Sequence, residues 1–106
     1  MSESLEQRNR LVQLYDCYGG LLTAKQKEVF EDVYEDDLSF SEISENRGIS
    51  RAAVSDSIKR TCAFLEEYEE QLGLVYKRKE IERLCSLLEN KEVDLETFLA
   101  KIKEVM

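Results

Sequence analysis

The stretch 38–58 constrains the fold most, because it carries the start and stop signals of two short helices. Ser39 followed three residues later by Glu42 is a capping-box pattern, and Ser50 offers a second N-cap. Between them, Gly48 stands where a helix ends in a left-handed residue, a conformation that glycine adopts at little cost. Two capped helices separated by such a glycine predict a helix-turn-helix.

The apolar residues of this stretch support the same two boundaries. Leu38 precedes the first cap and Ile43 follows it by one turn, which is the spacing of a hydrophobic staple. Ile49 and Val54 repeat that spacing around the second cap. We therefore expect Val54 and Ile58 to face the core.

Turn residues elsewhere indicate an all-α fold. The chain of 106 residues has no proline, and its four glycines fall at the ends of periodic segments. Hairpins and sandwiches need many more turn residues. The hydrophobic periodicity predicts about six helices joined by short connections, with Thr23 and Asp94 as further N-caps.

The chain divides into two parts at Gly73. We expect a helical domain over residues 1–73 that contains the helix-turn-helix over about 39–70, and a helical pair over 74–106 packed on it or on a partner subunit. Gly73 ends or kinks the long helix that follows Ser50. That helix has a heptad-like seam that runs for under three heptads, and so short a repeat favours packing on the domain's other helices over a coiled coil. The seam consists of Val54, Ile58, Thr61, Leu65, Tyr68 and Leu72.

Charge and residue types narrow the function classes. The net charge of −8 opposes attraction of nucleic acid by the overall field, but residues 39–65 carry four basic against three acidic side chains. The chain has no histidine and no glycine-rich phosphate loop, so we predict no enzyme and no cofactor or metal. Its three cysteines are far apart and are expected to be buried thiols. A polar start and the lack of a long apolar run predict a cytoplasmic protein without membrane insertion.

The second helix of the motif supplies the candidate nucleic-acid contacts, with DNA or RNA as the ligand. A recognition helix places its early exposed side chains against base edges, and neighbouring cations meet phosphates. Asp56 is unfavourable on such a face, and the alternative is an ordinary solvated surface on a structural unit. The candidate contact residues are Arg47, Arg51, Ser55, Lys59 and Arg60.

Residues 22–65 resemble region 4 of bacterial sigma factors, which binds promoter −35 DNA through a helix-turn-helix. The segments that carry the resemblance begin with Leu-Thr-Ala-Lys-Gln at residue 22, Leu-Ser-Phe-Ser-Glu-Ile at residue 38 and Gly-Ile-Ser-Arg-Ala-Ala-Val at residue 48. The resemblance implies a sigma-region-4-like arrangement of the motif.

A resemblance that covers nearly the whole chain is to the YlxM family. It rests on the run from Glu6 to Gln26, on the segment Phe-Leu-Glu-Glu-Tyr-Glu-Glu-Gln-Leu-Gly-Leu from residue 64, and on the two helices after it. These are small cytosolic proteins of Gram-positive bacteria, described as helix-turn-helix regulators, with genes beside those of the signal recognition particle GTPase and its receptor. The resemblance implies a DNA-binding regulatory role or a part in that protein-targeting pathway.

Two interactions with proteins are considered, the first as the alternative to nucleic-acid binding and the second as self-association. A protein-binding accessory factor of the targeting GTPase would keep the motif as scaffold and use the acidic segment 66–70 or the last two helices. Self-association as a homodimer is expected as well, because the apolar stripes of the last helices exceed what one small domain can bury.

Overall fold

The computed structural model describes residues 3–106, all of whose regular elements are helical. A 3₁₀ turn at Gly19–Leu21 follows the first of six α-helices. Those helices are α1 (Leu5–Tyr18), α2 (Ala24–Tyr34), α3 (Phe40–Arg47), α4 (Arg51–Leu72), α5 (Leu74–Glu89) and α6 (Leu95–Val105). The all-α prediction is confirmed. Met1, the first residue of the polar start discussed above, lies outside the described residues.

Side-chain caps set most helix starts. Thr23 with Gln26 and Ser39 with Glu42 form the predicted capping boxes, and Asp94 accepts from the amide of Thr97. A fourth start, that of α1, uses a capping box between Ser4 and Gln7 that was not predicted. Each such cap stabilises its helix by about 1 kcal/mol.

Apolar residues of α2, α3 and α4 form one core. Val29, Ile43, Val54 and Ile58 are buried together, and Leu38 and Ile49 pack against them, as the staples require. The seam of α4 is therefore used for packing within the domain, as predicted. Its buried members are Val54, Ile58, Thr61 and Leu65, whereas Leu72 at its end is 46% exposed.

Aromatic and charged side chains attach α1 to this core. Tyr15 stacks on Phe30 with ring centroids 4.3 Å apart, and Phe30 stacks on Tyr34 at 4.4 Å. The Arg8 guanidinium donates to the carbonyls of Val33 and Tyr34, which lie at the end of α2 and lack helical partners.

The chain forms two compact units. The first ends at Gln71, and the second runs from Leu72 to Met106 and consists mainly of α5 and α6 packed on each other. Gly73 has φ 62° and separates α4 from α5, so it ends the long helix.

The prediction of three buried thiols is wrong for Cys17. Cys17 is exposed, whereas Cys62 and Cys85 are partly buried, and all three are free. Cys17 lies on α1 just before Tyr18, which takes the inward position at 1% exposure. Adjacent helical residues point about 100° apart, so an apolar neighbour does not bury a thiol.

Candidate nucleic-acid interface

The turn between α3 and α4 is fixed by backbone and side-chain hydrogen bonds. Gly48 has φ 66°, and its amide donates to the Ser44 carbonyl at 3.0 Å. The amide of Ile49 donates to the same carbonyl, and the Ser44 hydroxyl donates to the Ile49 carbonyl. A residue with a Cβ would be strained at this φ, so glycine adopts this turn between the two helices at the lowest cost.

The start of α4 presents one polar stripe to solvent. The Ser50 hydroxyl accepts from the amide of Ala53 at 3.0 Å, which is the predicted cap. Val54 and Ile58 are 0% and 7% exposed, so the opposite side of the helix faces outward. Three of the candidate residues recur at intervals of four along one border of that outward side, next to the buried face: Arg51, Ser55 and Lys59.

The dimensions of this stripe suit a DNA groove. Arg51 and Lys59 are exposed and Ser55 is partly buried between them. An α-helix with its side chains is about 10–12 Å across, and the major groove of B-DNA, about 12 Å wide, admits it. Among residues 3–106, neither Arg51 nor Lys59 pairs with a carboxylate.

Arg47 lies next to the turn but is held by carboxylates of α2. Its Nε is 2.5 Å from Oδ2 of Asp32, its Nη2 is 3.1 Å from Oδ1, and its Nη1 is 3.1 Å from Glu28. Asp32 is 9% exposed, so Arg47 neutralises a buried charge. The hydrogen bond to Asp32 raises the pKa of Arg47, so the guanidinium stays charged.

Arg60 pairs with Asp56 one turn earlier on α4. Their side chains are 3.3 Å apart and are 72% and 65% exposed. An exposed pair of this kind is weak and screened by salt, so Arg60 can exchange Asp56 for another anion. Asp56 thus has an intramolecular partner on the candidate face.

Lys25 is a neighbouring cation that the sequence analysis missed. It lines a groove of about 440 Å³ with Arg47 and Ile49, and one of about 270 Å³ with Asp56 and Arg60. The sequence did contain a signal for this residue. Lys25 lies in the first turn of α2, where a cation is unfavourable because of the helix dipole, so its presence there calls for another reason. The structure thus places a basic residue of α2 beside the start of α4.

The acidic segment 66–70 is only partly the solvated face that its composition predicts. Glu66 accepts from Arg10 of α1 at 2.7 Å, and Glu69 accepts from the buried hydroxyl of Tyr18 at 2.5 Å. Glu67 and Glu70 are exposed. Two of the four carboxylates therefore attach α4 to α1.

The described residues contain no helix that is long and apolar enough to cross a membrane. They also contain no group of three or more Cys, Asp or Glu side chains arranged to hold a metal ion.

Comparison with known proteins identifies the family. A family model, UPF0122, described as "Putative helix-turn-helix protein, YlxM / p13 like", matches residues 5–105. UPF0122 proteins of Bacillus cereus (strain AH187), Bacillus anthracis (strain A0248) and Bacillus thuringiensis subsp. konkukian (strain 97-27) are each 44% identical to the chain over 102 residues. These alignments cover 96% of the chain and 93% of each relative. The resemblance to the YlxM family is confirmed, and the chain belongs to the UPF0122 family of YlxM/p13-like proteins.

Proposed function

We propose that this protein is a cytoplasmic, non-enzymatic DNA-binding regulator that inserts the start of α4 into a groove of nucleic acid. The observation that carries the proposal is the stripe directly after the turn, in which exposed Arg51 and Lys59 flank partly buried Ser55. The buried side of the same helix fixes the direction of these side chains. The family assignment as helix-turn-helix proteins supports the same use of α4.

Each residue has a separate role in this proposal. Arg51 is placed to make a bidentate contact with guanine, and Ser55 can bond to several bases. Lys59, Arg60 and Lys25 contact phosphates on either side of the groove. Arg47 acts through Asp32, because its hydrogen bonds hold α3 on α2 and so set the position of the turn.

The number of cations predicts modest affinity for one chain. Strongly salt-dependent DNA binders make about six to ten phosphate contacts, whereas this face offers about half as many. The net charge of −8 reduces attraction at long range further. Useful affinity therefore needs a dimer, help from the basic residues Lys77, Arg78 and Lys79, or a partner.

A salt series tests the proposed contacts. Fluorescence anisotropy with labelled duplex DNA, and separately with single-stranded RNA, gives the slope of log association constant against log salt. Replacing Arg51→Ala and Lys59→Ala should reduce the steepness of that slope by about 0.9 per phosphate contact removed. The double variant Lys101→Ala and Lys103→Ala removes the same charge from α6 and should leave the slope unchanged. Equal effects of the two double variants would show that this face is not the contact surface.

A second candidate function is that of an accessory factor that binds the signal recognition particle GTPase. The exposed carboxylates of α4, Asp56, Glu67 and Glu70, favour it, because they oppose binding of a polyanion along the helix. The resemblance to the YlxM family, with genes beside those of that GTPase and its receptor, supplies the partner. Calorimetry with the purified GTPase and receptor tests it: binding heat that Glu67→Lys with Glu70→Lys abolishes supports it, and absence of heat removes it.

A further inference from the structure

An apolar groove lies in the second unit, between the start of α5 and the end of α6. Its volume is about 500 Å³. Ile81 and Met106 on its surface are 37% and 83% exposed. The residues that line it are Leu74, Lys77, Arg78, Ile81, Glu82, Val105 and Met106.

The apolar surface continues from this groove toward the turn between the two helices. Leu95 and Leu99 are 60% and 48% exposed, and no residue of α6 is buried. These leucines and Met106 follow one another at steps of four and seven, so they lie on the same face of α6. One side of the helical pair is therefore apolar over most of its length.

Charge is segregated along the same helical pair. The end that holds the groove has six basic against three acidic side chains in residues 74–85 and 99–106, and the turn end has four acidic against one basic in residues 86–98. Arg78 pairs with Glu82 at 3.0 Å, whereas Lys77 at the groove has no carboxylate partner among residues 3–106. The net charges of the two ends are opposite and equal in size.

We propose that this face binds a second copy of the same chain in antiparallel orientation. Leu95 and Leu99 of one copy, flanked by Glu92 and Glu96, would then cover the groove of the other beside Lys77 and Arg78. The reciprocal contact forms at the same time, because a two-fold interface uses the same patch on both subunits. A different protein could fill the groove with an apolar helix flanked by acidic residues, but Leu95 and Leu99 would stay exposed. A second copy of the chain covers the groove and these leucines together.

This inference deepens the proposed function. The dimer itself does not depend on that function, but its consequence does: a dimer would present two α4 stripes to nucleic acid. Its test needs no nucleic acid. A dimer that binds no DNA refutes the proposed function alone, and a monomer that binds DNA refutes this inference alone.

Analytical ultracentrifugation of the full chain gives the test. The molar mass measured for the wild-type chain should rise with concentration and reach twice the chain mass of 12.4 kDa by about 100 µM. Lys77→Glu with Arg78→Glu, and separately Glu92→Lys with Glu96→Lys, should each raise the dissociation constant more than about tenfold by placing like charges together. Far-ultraviolet circular dichroism checks that both variants remain helical.

An equimolar mixture of the two charge variants provides the decisive readout. Each contact in the mixed dimer again joins opposite charges, so the molar mass measured for the mixture should be that of a dimer. A monomeric wild-type chain, variants that dimerise as well as wild type, or a mixture that stays monomeric would each overturn the proposal. Dimers that persist in the variants would place self-association on another surface.

Discussion

Arg47 is a basic residue beside the helix-turn-helix whose guanidinium is already paired with carboxylates of α2. Composition alone counts it among the cations available to nucleic acid. In the fold its guanidinium makes two hydrogen bonds to Asp32 and one to Glu28, fifteen and nineteen residues earlier. A buried carboxylate costs several kcal/mol unless it is paired, so this contact has a structural purpose.

Breaking that pair should destabilise the fold. We expect Arg47→Met to lower the free energy of unfolding by about 2–3 kcal/mol, because Asp32 keeps a buried charge without its partner. Urea denaturation followed by circular dichroism measures it. Arg60→Met, which breaks the exposed pair with Asp56, should cost less than about 1 kcal/mol. Equal losses in the two variants would contradict the structural role of Arg47.

Thr61 is a polar residue in the seam of α4. Its side chain is fully buried, and its hydroxyl has no hydrogen-bond partner among the residues that the structure describes. Thr61→Val keeps the shape and removes the unsatisfied group, so the free energy of unfolding should rise by about 1 kcal/mol. Thr97→Val on exposed α6 should instead lower it by up to about 1 kcal/mol, because it removes the hydroxyl that bonds to the capping Asp94. A loss of stability in Thr61→Val would mean that the hydroxyl has a stabilising partner in solution.

Burial gives the thiols different chemistry. Burial raises the pKa of Cys62, so the folded state holds that proton more tightly than the unfolded chain does. This contribution to stability is present below the ordinary thiol pKa of about 8.5 and is lost as pH rises through the raised value. The alkaline decline of the unfolding free energy should therefore be smaller in Cys62→Ala.

An aromatic disulfide reagent at pH 8 should modify exposed Cys17 before Cys62, and equal rates of modification would contradict the partial burial of Cys62.

At the scale of elements, helix ends were the most predictable feature. Ser39, Thr23, Ser50 and Asp94 act as the caps that their spacing indicates, because a cap depends on residues at most three positions away. The capping box between Ser4 and Gln7 also joins residues three positions apart, so it could have been predicted from the sequence in the same way.

Long-range pairing was not predictable from the sequence. The Tyr18 hydroxyl meets Glu69 across 51 positions, and Arg10 meets Glu66 across 56. A charged residue has many candidate partners in a chain with 15 basic and 23 acidic side chains, and only the packing of helices selects one. This is why the candidate face was predicted as a set of residues, while the paired state of Arg47 and the presence of Lys25 were not.

The helix dipole acts differently on the cations proposed to contact DNA and on a cation at the end of α6. Lys25 and Arg51 lie in first turns, where a cation is unfavourable by about 0.3–1 kcal/mol. Lys25→Gln and Arg51→Gln should therefore each raise the free energy of unfolding slightly while weakening DNA binding. Lys103→Gln in the last turn of α6 should lower it slightly and leave binding unchanged. Loss of stability in the first two variants would indicate a structural role.

At the scale of the whole molecule, the chain combines a locally basic candidate face with a net charge of −8. The acidic excess lies partly in 66–70 and in the turn between α5 and α6, away from Arg51 in the sequence. A regulator with this distribution gains specificity from a few contacts and little affinity from its overall field.

Nuclear magnetic resonance tests the central claim, that the start of α4 is the surface that meets nucleic acid. Backbone amide shifts of the ¹⁵N-labelled chain would be followed during titration with duplex DNA at low salt. We predict that the largest changes fall in residues 49–60 and around Lys25, with α6 unaffected. Changes confined to 66–70 or to 74–106, or no changes at saturating DNA, would contradict the claim.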